Sequence, residues 1–150
     1  MLVKEIMTKD VITVSPDTSV EAAANLMVKH GIGGLPVVDK QQKLIGIITE
    51  SDFLGKRVDI PHGISSLHEL LGDWMFETSL EEILTNARKR PVSDVMSTDL
   101  RLVHPDTTLT QLVKKMVDNS HGRLVVCDNG KLVGIVARRD VMKAFSKLNA

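Results

Sequence analysis

The chain has 150 residues, 43% of them hydrophobic, and 19 basic side chains balance 19 acidic ones to a net charge of zero. That length suits one compact domain or two very small ones, and the neutrality excludes a global field that would draw in nucleic acid or a membrane surface. Aromatic residues make up only 3%, with no Tyr, so aliphatic side chains and Met must fill the core, and a lone cysteine, Cys127, excludes an internal disulfide.

In chain order, Val11-Ile12-Thr13-Val14 reads as a first strand, and Pro16 breaks the chain after it. Thr18-x-x-Glu21 has the form of a capping box, in which side chain and backbone satisfy each other's hydrogen bonds at a helix start. Val20, Ala23, Ala24, Met27 and Val28 fall on one face of the helix that follows. Two short apolar strands, Leu35 to Val38 and Leu44 to Ile48, precede a final helix from Ser51 to about Val58. Asp59-Ile60-Pro61-His62-Gly63 is a breaker. Beyond it, Ser66-x-x-Glu69 and Ser79-x-x-Glu82 open two helices with apolar stripes, Leu67, Leu70, Leu71 and Trp74 on one and Leu80, Ile83, Leu84 and Ala87 on the other. A floppy linker carries no such stripes, so this segment either packs on the rest or meets a partner.

The series then starts again. Leu100 to Val103 reads as a strand, Pro105 as a breaker, and Thr108-x-x-Gln111 as a capping box. Leu109, Leu112, Val113, Met116 and Val117 share a helical face. Asp128-Asn129-Gly130 marks a tight hairpin, because Asn-Gly accepts positive φ. A last helix runs from Arg139 to about Leu148. Residue by residue, Val3–Leu54 matches Val92–Met142: Met7 with Met96, Pro16-Asp17-Thr18 with Pro105-Asp106-Thr107, Leu35 with Leu124. The offset is 89 (96 minus 7) until Asp39 and Asp128, and 88 (131 minus 43) from Lys43 and Lys131 onward. One recurrence suggests a pseudo-twofold pair rather than a solenoid. The expected organisation is a first repeat over 1–58, a helical connecting segment over 59–90 and a second repeat over 91–150. Each repeat is β-α-β-β-α, of mixed α/β (α+β) class, and each is near the lower size limit for a stable core, so the halves are expected to share one.

The sharpest local feature is Gly46-Ile47-Ile48-Thr49-Glu50-Ser51-Asp52, a strand end followed by two hydroxyls and a carboxylate at a helix start. Thr49-x-x-Asp52 can be read as a helix cap and nothing more. The second copy reads Gly134-Ile135-Val136-Ala137-Arg138-Arg139-Asp140, where Ala137 has no capping hydroxyl and the carboxylate remains. A carboxylate suits the vicinal hydroxyls of a ribose, and a helix N-terminus suits a phosphate.

With the duplication, the Met-x(8)-Pro-Asp-Thr opening at Met7 and Met96, and the run Gly33-Gly34-Leu35-Pro36-Val37-Val38-Asp39, these residues resemble the CBS-domain family, whose members occur as tandem pairs called Bateman modules. The resemblance implies two repeats packed through their sheets as a pseudo-twofold pair, with two related clefts that bind adenine nucleotides or other adenosyl ligands (AMP, ADP, ATP or S-adenosylmethionine). It implies that Asp52 and Asp140 hold ribose, that Thr49 and Ser51 lie near ribose and phosphate, and that Ile12 and Ile32-Gly33 hold the adenine. It also implies crossed sites, with Asp140 working with Ile12, Ile32 and Gly33, and Asp52 with Arg101, His121 and Gly122. Ala137 departs from the pattern, and Arg123, Arg138 and Arg139 are expected to compensate by neutralising phosphates. Arg101 departs from it too, standing where an apolar wall residue is usual. The Asp140 cleft is therefore the expected phosphate site.

Other signals are weaker. His30, His62, His68, His104 and His121 show no metal-ligand spacing, so no metal site is expected. Cys127 falls in a predicted buried strand with no base in view. Gly33-Gly34 lacks the ending of a phosphate loop, and Arg88-Lys89-Arg90 is too short for nucleic acid recognition. The expected function is a non-catalytic sensor of adenine nucleotides, including energy sensing, with the nucleotide as regulatory ligand and no catalytic cofactor. The resemblance further implies a homodimer acting on an effector protein. With no membrane-spanning stretch and no signal peptide read, a cytoplasmic location is expected. The alternative is a docking module with degenerate clefts and Leu70, Leu71, Trp74 and Phe76 as its surface. An enzyme is the third and weakest reading, since no nucleophile–base pair is legible.

Overall fold

Proline decides where the first sheet ends. The computed structural model describes residues 1–53, 85, 88–118 and 122–148. In it β1 (Gly34–Val38) and β2 (Leu44–Thr49) form an antiparallel pair with Leu35 opposite Ile48. Val14 alone flanks β1, its N–H donating to the Pro36 carbonyl at 3.1 Å and its carbonyl accepting from Val38 N–H at 3.0 Å. The strand predicted over Val11–Val14 is thus a single bridge. Pro36 has no N–H with which to bond the Ile12 carbonyl. At the matching place in the second repeat, Val125 N–H does reach the Arg101 carbonyl, at 3.1 Å. There β3 (Leu102–Val103) forms and pairs in parallel with β4 (Arg123–Asp128), which pairs antiparallel with β5 (Lys131–Ala137).

The hairpins explain the change of offset. Asn129 (φ 50°) and Gly130 (φ 79°) make the tight turn expected of Asn-Gly. The first hairpin has one more residue, closed by Asp39 Oδ1, which accepts from the N–H groups of Gln41 and Lys43 at 2.9 Å each. Both hairpins carry a register shift at matching places, Val37/Val38 and Val126/Cys127.

The helices that follow the first strands are α2 (Val20–His30) and α4 (Leu109–Asp118). Thr108 and Gln111 form the expected reciprocal box, at 3.1 and 3.3 Å. The cap of α2 is Ser19 rather than Thr18: Ser19 Oγ accepts from Ala22 N–H at 3.1 Å, while the Thr18 hydroxyl meets Ser15 Oγ at 3.1 Å. Ser19 is the true counterpart of Thr108 under the repeat offset. Val20, Ala23 and Met27 are buried on α2, and Leu112 and Met116 on α4. The predicted faces are too wide, since Val28 is 84% exposed and Val117 71%. Further helices among the described residues are α1 (Val3–Ile6), α3 (Glu50–Phe53), a 3₁₀ turn at Val92–Asp94, and α5 (Arg138–Leu148). Neither α1 nor the 3₁₀ turn is foreseen in the pattern, and α3 and α5 each begin one residue before the expected position. The continuation of the helix predicted to reach Val58 lies outside the described residues, as does nearly all of the segment 59–90 with its docking candidates.

The two repeats exchange their leading arms. Val3, fully buried, belongs to the core of Val103, Leu112, Leu124, Val126 and Val136. Val92 and Val95 belong to the core of Val14, Ala23, Leu35, Val37 and Ile48. The main chain crosses in the same related way. Val3 N–H donates to the Thr107 carbonyl at 2.9 Å, and Val92 N–H to the Thr18 carbonyl at 2.7 Å. Thr8 and Ile135 exchange both backbone hydrogen bonds, as do Ser97 and Ile47. Burial of these aliphatic side chains supplies the main driving force for joining the halves.

Candidate adenosyl-binding cleft

The exchange of arms makes a cavity of about 300 Å³ between the repeats. Val11 and Ile12 follow the first arm, Gly31 to Gly34 lead from α2 into β1, and Ile135, Ala137, Arg139 and Asp140 close it from the second repeat. Gly31, in the left-handed region at φ 60°, ends α2 and turns the chain into the cleft. The volume lies at the small end of what ligand clefts offer.

Asp140 stands in the first turn of α5, where its Oδ2 accepts the Ala137 N–H at 2.8 Å. A backbone N–H needs no hydroxyl at position 137 to be satisfied. The loss of that hydroxyl therefore does not, as the sequence argument had it, relieve Asp140 of a capping role. The carboxylate nevertheless lines the cavity and is only half-buried. Asp52 caps likewise, accepting from Thr49 N–H at 2.8 Å and Thr49 Oγ1 at 3.3 Å, but it is buried, at 7% exposure.

Arg123 is the central cation. It extends from the start of β4 across to the first repeat, where Nη1 donates to the Gly33 carbonyl at 2.8 Å. Its guanidinium lies against the Cα of Gly33 so closely that a Cβ there would overlap Nη2. Burial pushes the guanidinium below the ordinary arginine value, against the opposing pull of the Glu50 and Asp140 carboxylates.

Of the residues expected around Asp140, the cavity brings together Ile12, Ile32, Gly33, Arg123, Ala137 and Arg139. Arg138 belongs elsewhere: it is exposed, its side chain lies beside Gly122, and its N–H donates to the Gly122 carbonyl at 2.9 Å. Successive residues at a helix start point about 100° apart, so Arg138 and Arg139 cannot serve one cleft together. Arg101 is exposed and paired with Asp99 at 3.0 Å. His121 and the side chain of Ser51 lie outside the described residues. Glu50, Thr8, Asp10 and Ile135 line the cavity unforeseen. The repeat offset of 88 maps Arg138 back onto Glu50, which would have drawn attention to it. Cys127, expected to be buried, is half-buried on β4, with desolvation raising its thiol pKa. Among the described residues no cluster of three or more His, Cys, Asp or Glu could hold a metal ion.

The family pattern described as CBS domain matches residues 3–59 and 92–147. The chain belongs to the CBS-domain family. An uncharacterized protein of Methanocaldococcus jannaschii is 38% identical, over 97% of this chain and 91% of its own length. Two solved CBS structures are each 26% identical and cover 99% of this chain and 98% of theirs. One is CBSX2 in complex with AMP, at a TM-score of 0.73. The other, at 0.71, is the CBS domain pair of protein MJ0100 in complex with 5′-methylthioadenosine and S-adenosyl-L-methionine. The tandem CBS fold, with two repeats, is thereby established for this chain.

Proposed function

We propose that this CBS-domain pair is a non-catalytic regulatory module that binds an adenosyl ligand in the Asp140 cleft and passes the event to a partner protein. The observation that carries the reading is the meeting of Ile12, Ile32 and Gly33 from one repeat with Asp140 and Arg139 from the other in one cavity of about 300 Å³. The apolar side of that wall suits a purine face. The Asp140 carboxylate suits two ribose hydroxyls, and Arg139 a 5′ substituent bearing phosphate. The adenosyl complexes of the two solved relatives support it. Because the lining comes from both repeats, a bound ligand favours whichever arrangement of the halves closes best over it. Differential affinity of this kind is what a sensor requires.

Calorimetric titration with AMP, ADP, ATP and S-adenosylmethionine tests the proposal. Asp140→Ala should abolish or severely weaken one site, and unchanged binding in that variant would refute the assignment. Val28, Val117, Met142, Phe145 and Leu148 are large apolar side chains left exposed, which supports a homodimer. Light scattering at micromolar concentration should return twice the 16.5 kDa chain mass. The single cysteine supports a reducing compartment such as the cytoplasm.

A further inference from the structure

The charges that line the Asp140 cleft speak to the kind of adenosyl ligand, an inference that rests on the binding reading above. The lining carries three carboxylates, Asp10, Glu50 and Asp140, against two guanidiniums, Arg123 and Arg139. A cleft shaped for a polyphosphate chain would show the opposite excess. Nor are the two guanidiniums equally available. Arg123 is engaged within the protein: it donates to the Gly33 carbonyl, and both Glu50 and Asp140 stabilise its charge. Glu50 Oε1 lies 3.1 Å from the point a Gly33 Cβ would occupy, the same point crowded by Arg123 Nη2, so both side chains border that glycine. Arg139 is exposed and has no ion-pair partner among the described residues. One cation is left for the anionic part of a ligand.

The duplication shows that the fold does not dictate this charge. Glu50 N–H donates to the Gly33 carbonyl at 3.2 Å, and its counterpart Arg138 donates to the Gly122 carbonyl at 2.9 Å. The backbone is the same, and the side chain is acidic in one copy and basic in the other.

We infer that the Asp140 cleft selects adenosyl ligands whose 5′ substituent carries one phosphate or none, and that Glu50 sets this limit. It does so through its charge, which attracts Arg123, already held on the Gly33 carbonyl, and repels further phosphates at the rim. A β- or γ-phosphate entering there meets Glu50, and Arg139, the one cation left, is already matched by the first phosphate.

The test is calorimetry with AMP and ATP, without divalent cations, on the wild type, Glu50→Gln and Glu50→Lys, with Asp140→Ala identifying which heat belongs to this cleft. Wild type should bind AMP at least about tenfold more tightly than ATP at the Asp140-dependent site. Glu50→Gln should narrow that ratio by at least about threefold, and Glu50→Lys should narrow it further. Circular dichroism and melting temperature show that both variants are folded, and Glu50→Gln, which keeps size and hydrogen bonding, is the gentler of the two. Equal affinity for AMP and ATP in the wild type, or a ratio unmoved in folded variants, would overturn the inference while leaving adenosyl binding intact. If AMP, ATP and S-adenosylmethionine all fail to bind, the proposed function falls and this inference falls with it.

Discussion

Asp52 and Asp140 occupy the same position in their repeats, yet their surroundings predict different consequences of losing them. Asp52 is buried and accepts two hydrogen bonds from Thr49, so Asp52→Ala removes a buried carboxylate together with both of those bonds. The expected destabilisation is about 1–3 kcal/mol, read as a fall in the denaturation midpoint. Asp140 is half-buried and accepts one bond from Ala137 N–H. Asp140→Ala should destabilise by only about 1 kcal/mol, the usual worth of a helix cap, while under the proposed function its effect on adenosyl binding should be large. Equal stability losses in the two variants would show that exposure does not separate them. Lys4 and Asp106 give a pH prediction. Their 2.7 Å ion pair raises the Lys4 pKa and lowers that of Asp106, through the hydrogen bond first and the charge second. The lowered Asp106 value means its contribution is complete above the unfolded carboxylate pKa and fades as pH falls through the folded one. The raised Lys4 value means its contribution is complete below the unfolded lysine pKa and fades as pH rises through the folded one. Asp106→Asn should therefore differ most from wild type near neutrality and converge with it in acid, and a constant difference at every pH would exclude the mechanism. Both groups are exposed, so salt should reduce the effect.

Among the elements, the sulfur-on-glycine contacts between arm and sheet leave little room for change. Met7 Sδ packs over Gly134 and Met96 Sδ over Gly46, each 2.5 Å from where a Cβ would stand, with a backbone carbonyl beyond it at 3.0 and 3.2 Å. Gly134→Ala and Gly46→Ala should each destabilise by about 1–3 kcal/mol, the range for overpacking, seen as matching drops in melting temperature. A tolerated alanine at either place would mean that its arm shifts freely. These glycines illustrate what the sequence makes legible. Alternating burial along β2 and the Asn-Gly hairpin can be read directly, because period and turn chemistry are local. The arm exchange cannot be read that way. Val3 and Val92 look like ordinary aliphatic residues ahead of a strand, and only the packed cores show that each serves the other repeat. The truncated first strand stands between these cases. Pro36 is plainly visible, but its effect on Ile12 depends on which strand lies beside it. At the site, Asp140, Ile12, Ile32 and Gly33 follow from the family resemblance. Glu50 does not, because the role proposed for it depends on Arg123, which comes from the opposite repeat.

At the scale of the whole molecule, the pseudo-twofold frame is closely kept while the side chains at its clefts diverge. Under the repeat offset Arg123, Ala137 and Glu50 correspond to Gly34, Thr49 and Arg138. A protein with two equivalent clefts would titrate with two equal sites. This one should show unequal sites in calorimetry, with one of them lost in Asp140→Ala, and two identical sites would contradict the charge asymmetry drawn from Glu50 and Arg138.

The crossed valines carry a consequence for fragments of this protein. A cut within 54–84 would leave one piece holding the plug for its sibling's interior and lacking its own, since Val3 would stay with the first piece and Val92 and Val95 with the second. Expressed alone, each piece should be poorly folded. Mixed, the two should reassociate one to one and regain native-like circular dichroism, in the manner of a reciprocal strand swap. Cooperative folding of either piece alone would mean that the borrowed valines are dispensable.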